Sequence, residues 1–139
     1  MSWIGWALLS ALFAAATAVL AKVGVAHIDS NLATAIRTTV VVIFAWAIAL
    51  ALGKHDELQH VDGRAWLFLT LSGLATGLSW LCYFRALQLG PASRVAPLDK
   101  LSVVLVMVFA VLFLGEKMSP LAALGGVLIA VGAVVIVLA

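Results

Sequence analysis

Besides Lys22 and Arg94 near the loops, four charged side chains stand within otherwise apolar runs of this 139-residue chain: Arg37, Arg85, Asp99 and Lys100. A charge in hydrocarbon costs roughly 2.5 to 3.5 kcal/mol on insertion scales, so each needs a partner, a wet cavity or a route to the interface. The arginines lie within a few residues of predicted span ends and can snorkel outward, and an Arg85–Asp99 ion pair between neighbouring helices is a further means of compensation. Asp99 is too short to snorkel far. It also follows Pro97, which frees a backbone carbonyl in the same helix. A polar cavity is the expectation there.

Uncharged groups extend the pattern. Ser72, Thr76, Ser79 and Tyr83 recur at spacings of four, three and four, one stripe of a helix, with Trp80 and Phe84 flanking it. Asn31, Thr34 and Thr38 form a second stripe beside Arg37, and Ser10 and Thr17 stand seven apart on a third. Three such stripes suggest a shared interior path. Equally, each hydroxyl can bond to a carbonyl of its own helix and line nothing.

Other chemistry finds little footing. His55, Asp56, Glu57, His60 and Asp62 could be drawn as a metal site, but a flexible run with no supporting shell reads as a solvated loop. No nucleophile–base set, phosphate-cradling glycine loop or paired carboxylates occur, so no catalytic residue, metal or cofactor is expected. The single cysteine, Cys82, excludes an internal disulfide and reads as packing. A net charge of +2 gives no reason to expect nucleic acid as a partner.

The elements that must position these residues follow from composition. Hydrophobic residues make up 65% of the chain and charged residues 10%, with mean hydropathy +1.24, far from a soluble domain and close to one solvated by lipid. Apolar runs broken by charge or turn residues define five predicted helices, 3–25, 32–53, 65–89, 93–115 and 119–138, each long enough to cross a hydrocarbon core of about 30 Å. The fold class is therefore all-α integral membrane, as one domain over 1–139. Asp29-Ser30-Asn31 offers helix caps, Gly90-Pro91 stops the third span, and Ser119-Pro120 supplies an N-cap followed by proline at the first helical position. The first span is too long for a cleaved signal peptide. Residues 54–64 form the one substantial aqueous loop, and Trp3, Trp6 and Trp66 suit interfacial anchoring.

Five spans place the termini on opposite sides. The N-terminal side carries Lys54, Arg64 and Lys117. The other side carries Lys22 and Arg94, plus Arg37, Arg85 and Lys100 if embedded residues are counted. The sign of the bias thus depends on the counting, which fits insertion in both orientations; a fixed orientation with the second side cytoplasmic is the alternative. Small residues suggest close helix packing: Gly73 and Gly77 form a GxxxG, and Ala122, Gly126 and Ala130 form an i, i+4 ladder. The ladder serves either intrachain packing or a dimer seam.

From Gly77 to Leu138 the chain closely resembles the EamA repeat of the drug/metabolite transporter superfamily. The resemblance rests on Tyr83-Phe84-Arg85-Ala86-Leu87, Ala96-Pro97-Leu98, Leu114-Gly115-Glu116 and the glycine-rich last helix. Lys22-Val23-Gly24 and Ile36-Arg37-Thr38-Thr39 extend it across the first two spans. Pro97 to Ser102 is similar to the single-repeat bacterial/archaeal transporter branch. The resemblance implies one five-helix EamA-type repeat, pairing as an inverted, antiparallel homodimer in the inner (plasma) membrane of a prokaryote. It implies a secondary transporter, an exporter of a small organic metabolite by alternating access, with lipid and that solute as its other partners. The first span holds no acid, so the embedded glutamate of the small multidrug branch has no counterpart. Substrate-binding or coupling candidates are Arg37, Thr38, Ser79, Trp80, Tyr83, Arg85, Asp99, Lys100 and Ser102. The mixed charges favour a zwitterion such as an amino acid. A non-transporting membrane scaffold, or one subunit of a heteromeric transporter, is the rival reading.

Overall fold

The computed structural model describes residues 2–139. The chain forms helices α1 (Trp3–Gly24), α2 (Ser30–Ala51), α3 (Gly63–Leu89), α4 (Ala92–Asp99), α5 (Leu101–Leu114) and α6 (Pro120–Leu138), with a 3-10 helix over Lys54–His60. Five helical stretches are long and apolar enough to cross a membrane, with α4 and α5 together supplying the fourth. Their ends fall within two residues of the apolar runs.

Helix ends form where the chain can satisfy them. Asp29 caps α2, its carboxylate accepting from the backbone N–H groups of Asn31 at 2.9 Å and Leu32 at 3.1 Å. The Asp62 carboxylate accepts from Ala65 N at 2.8 Å at the start of α3. Ser119 Oγ accepts from Ala122 N at 3.1 Å, and Pro120 occupies the first turn of α6, where a missing N–H is harmless. Gly53 and Gly115 end their helices at φ +66° and +67°, the left-handed conformation that glycine adopts without a Cβ clash.

The fourth span covers 92–114 with one local irregularity at Lys100. Pro97 has no N–H to donate to the preceding turn, and the ladder tightens after it: Lys100 N bonds Pro97 O at 3.1 Å and Val103 N bonds Lys100 O at 3.0 Å. The helix is therefore interrupted at Lys100.

Two compact units emerge, 2–20 with 89–139, and 21–88. In the first, α6 packs on α4 and α5, with Ala110, Gly126 and Ala133 buried. A β-carbon added at Gly126 would fall 3.1 Å from Met107 Sδ and 3.3 Å from its Cε, so α6 meets α5 here through the flexible end of Met107. In the second, the 3-10 helix packs on α2, and Val25, Ser30, Ala33, Thr34, Phe84 and Leu87 are buried. The large apolar side chains are otherwise mostly exposed, as expected of helices whose solvent is lipid.

Candidate substrate site

Most of the candidate residues lie in the 21–88 unit, on α2 and α3. Arg37 projects from α2 so that its guanidinium carbon lies 4.1 Å from the centroid of the Trp80 ring and 5.6 Å from that of Phe84. Trp80 and Phe84 are one helical turn apart, so α3 presents two aromatic faces to one cation. Tyr83 is near enough to interact with Arg37 electrostatically. Arg37, Trp80 and Tyr83 are thus brought together, each half-buried.

Beside this cluster, α2 and α3 enclose an open groove of about 420 Å³. Thr34, Thr38 and Val42 line its α2 wall, and Gly77 and Leu81 its α3 wall. The α2 stripe read from the sequence faces this groove, but its hydroxyls are committed to their own helix. Thr34 Oγ1 donates to Ser30 O at 2.8 Å, Thr38 Oγ1 to Thr34 O at 2.8 Å and Thr39 Oγ1 to Ala35 O at 3.0 Å. The walls therefore offer methyl groups and carbon surface more than hydrogen-bond donors. On α3, Thr76 likewise donates to Ser72 O at 2.9 Å, Ser79 is exposed, and the groove wall is the Gly77–Leu81 row instead of the Ser72–Tyr83 stripe.

Arg85 has a partner within its own helix, donating to Gln88 Oε1 at 2.9 Å. Gln88 in turn donates through Nε2 to the carbonyls of Val25 at 3.2 Å and Ile28 at 2.7 Å. The ammonium of Lys22 donates to Leu87 O. That carbonyl would look for the N–H of residue 91, which is proline, so a lysine from α1 takes the place of the missing donor. Sequence reasoning missed Gln88. A polar residue three after Arg85 and just before Gly90-Pro91 was the available signal.

The remaining candidates lie in the other unit. Asp99 Oδ2 and Lys100 Nζ are 3.4 Å apart at the interruption of the fourth span, and Ser102 is exposed. Ala122 is exposed and Ala130 half-buried, while Gly126 packs on Met107 of its own chain. Among the described residues no group of His, Cys, Asp and Glu is placed to hold a metal ion.

Comparison with known proteins decides what kind of molecule presents this arrangement. The model of the EamA-like transporter family matches residues 1–138. The chain belongs to the EamA-like transporter family. A relative from Sinorhizobium sp., described as "Uncharacterized transporter in cobO 3'region", is 60% identical over 135 residues, covering 97% of this chain and 96% of that one. No solved structure matches the chain. With five helices of spanning length, this EamA protein is a multi-pass membrane protein, and its family points to transport and away from enzymology.

Proposed function

We propose that this EamA protein is a secondary transporter that exports a small organic metabolite of amino-acid type. It works by alternating access as an antiparallel homodimer in the inner (plasma) membrane of a prokaryote. The observation that carries the reading is the groove on α2 and α3: about 420 Å³, within the size range of small-molecule sites, and bordered by residues adjacent to the Arg37–Trp80 pair. Two further features support it. The fourth span tightens at Lys100 and carries Asp99 and Lys100 there, and a local 3-10 adjustment after a proline is a way for a spanning helix to hold polar groups at membrane depth. The lysine and arginine balance between the two sides gives no consistent orientation, as a chain inserting both ways requires. In this reading Thr38 lines the solute's groove, Ser79, Tyr83 and Arg85 serve the α3 side of the same unit, and in the other unit Asp99, with Lys100 and Ser102 beside it, couples transport to protons. Ala122 and Ala130 remain available for a seam between copies, whereas Gly126 is occupied by Met107.

Topology and flux test this together. Single cysteines at Ser2 and in the 54–64 loop of a Cys82→Ala variant are labelled from each face, and proteoliposomes preloaded with labelled amino acids are assayed for efflux. Labelling of both positions from both faces, with saturable efflux, is expected. A single orientation would sink the homodimer, and absence of efflux across the panel would sink the amino-acid reading.

A further inference from the structure

Arg37 lies seven residues into α2, about 10 Å from the helix start at 1.5 Å per residue, and Trp80 lies nine residues before the end of α3. The guanidinium carbon stands over the Trp80 ring, 4.1 Å from its centroid. A guanidinium also carries five N–H donors along its edges, in the plane of the group. Within the 21–88 unit none of these donors meets a carboxylate, because every acid in the unit is engaged elsewhere. Asp29 caps α2, Asp62 accepts from Ala65 N, Glu57 pairs with Lys54, and Asp56 lies in the same 54–60 segment, 3.3 Å from His55. The other arginine of the α3 end, Arg85, is held by Gln88. Arg37 is therefore a cation fixed by aromatic faces, within a spanning helix, with its hydrogen-bonding edge unmatched in its unit. Such an edge fits a planar anion accepting two parallel hydrogen bonds.

Resting on the transporter reading above, we propose that Arg37 is the anion anchor of the substrate site. Its ligand is a small carboxylate with a short aliphatic chain, and Trp80 is the positioning residue that fixes the guanidinium plane. The chain follows from the neighbouring groove. Val42, Ile43, Gly77, Leu81 and the threonine methyls give it mostly carbon walls, with Asn31 as the polar residue of the lining and the threonine protons already donated to helix carbonyls. No carboxylate of this unit stands ready for an ammonium, so the site recognises the acid and does not require the amine. Trp80 then acts through Arg37, and its ring is not the platform for the solute.

The test is equilibrium binding, which needs no flux and so fails separately from the transport assay. The full chain in phosphatidylcholine nanodiscs is titrated calorimetrically with 4-methylpentanoate, L-leucine and 3-methylbutylamine, then again in discs containing phosphatidylglycerol. The two carboxylates are expected to bind and the amine not. Arg37→Gln is expected to weaken carboxylate binding by at least about tenfold, with Arg37→Lys, which keeps the charge and loses the fork, in between. Trp80→Leu should weaken the same two ligands, with Trp80→Phe restoring part of the affinity. Equal binding of the amine, or carboxylate binding that ignores Arg37→Lys and Arg37→Gln alike, overturns the proposal. So does a result in which neither carboxylate binds and retention of phosphatidylglycerol depends on Arg37, which would assign the site to a lipid headgroup.

Discussion

The guanidinium carbon of Arg37 lies 4.1 Å from the centroid of the Trp80 ring, so α2 and α3 are joined by a charge on a π face. An interaction of this kind contributes about 0.5 to 2 kcal/mol, more where water is excluded. It also restricts which way the guanidinium fork points, and for a binding site orientation matters as much as energy.

Removing the ring should therefore act on binding before it acts on turnover. In reconstituted vesicles Trp80→Leu is expected to raise the KM for transport by about 2- to 30-fold, the range that 0.5 to 2 kcal/mol corresponds to, with a smaller change in the maximal rate. Trp80→Phe should lie between the two. An unchanged KM in Trp80→Leu would separate the ring from substrate recognition.

Lys22 and Gln88 hold the end of α1 and its connection to α2 against the end of α3. Replacing Lys22 with methionine keeps the aliphatic stem and leaves the fully buried Leu87 without its donor to the carbonyl, a loss of about 1 to 3 kcal/mol. Gln88→Leu strips donors from two carbonyls, Val25 and Ile28, and also frees Arg85. Both variants should lower the thermal midpoint of the detergent-solubilised protein, and Gln88→Glu, which keeps an acceptor for Arg85 and loses the donors, should restore it only in part. A midpoint equal to the parent's in Lys22→Met would mean that another group reaches Leu87 O.

Much of this architecture is legible in the sequence because the solvent is lipid. An apolar run that must satisfy its own backbone has few choices, so Asp29, Ser119 and Pro120 mark helix ends where they are found. The family was legible from the order of short motifs such as Tyr83 to Leu87 and Leu114-Gly115-Glu116. The wet stripe was half legible. Periodicity places Thr34 and Thr38 on one face, but it cannot tell whether a hydroxyl points its proton at a ligand or at the carbonyl four residues back, and here it is the latter. The break at Lys100 escaped because a proline's effect on the ladder appears three residues later, where nothing in the residue types announces it. Gln88 escaped because its partners are backbone carbonyls some sixty residues away in the chain.

In the aqueous loop, Lys54 has its pKa raised above the ordinary lysine value by the hydrogen bond and charge of Glu57. A raised folded-state pKa means that the pair helps at any pH below the unfolded value and is lost as pH climbs through the folded one. Both groups are exposed, so the effect on stability should be small. NMR titration of the Lys54 side chain should show a higher midpoint in the parent than in Glu57→Gln; identical midpoints would dissolve the pair.

Gly126 gives a graded packing test. The atoms that an added β-carbon would meet are the sulfur and terminal carbon of Met107, the flexible far end of a side chain. Gly126→Ala should therefore change stability by less than about 1 kcal/mol, the better helix propensity offsetting the crowding. Gly126→Ile has no such relief and should cost about 1 to 3 kcal/mol, with Met107→Ala recovering part of it. Equal effects from alanine and isoleucine, read as thermal midpoints, would show that α5 and α6 do not approach at this glycine.

Asp99 is the embedded acid on which the coupling proposal depends. It sits where the fourth span breaks and is only 3.4 Å from the cation of its neighbour Lys100. A carboxylate at such a position can take up a proton on one side of the membrane and release it on the other only if it remains a titrating group. Asp99→Asn keeps the shape and removes the titration, so it should insert and purify like the parent, bind solute, and exchange labelled for unlabelled solute across the vesicle wall. Net efflux driven by a pH gradient should be lost, and Asp99→Glu should retain part of it. If instead gradient-driven efflux survives in Asp99→Asn, the proton is carried elsewhere, and Asp99 becomes a structural partner of Lys100 at the helix break.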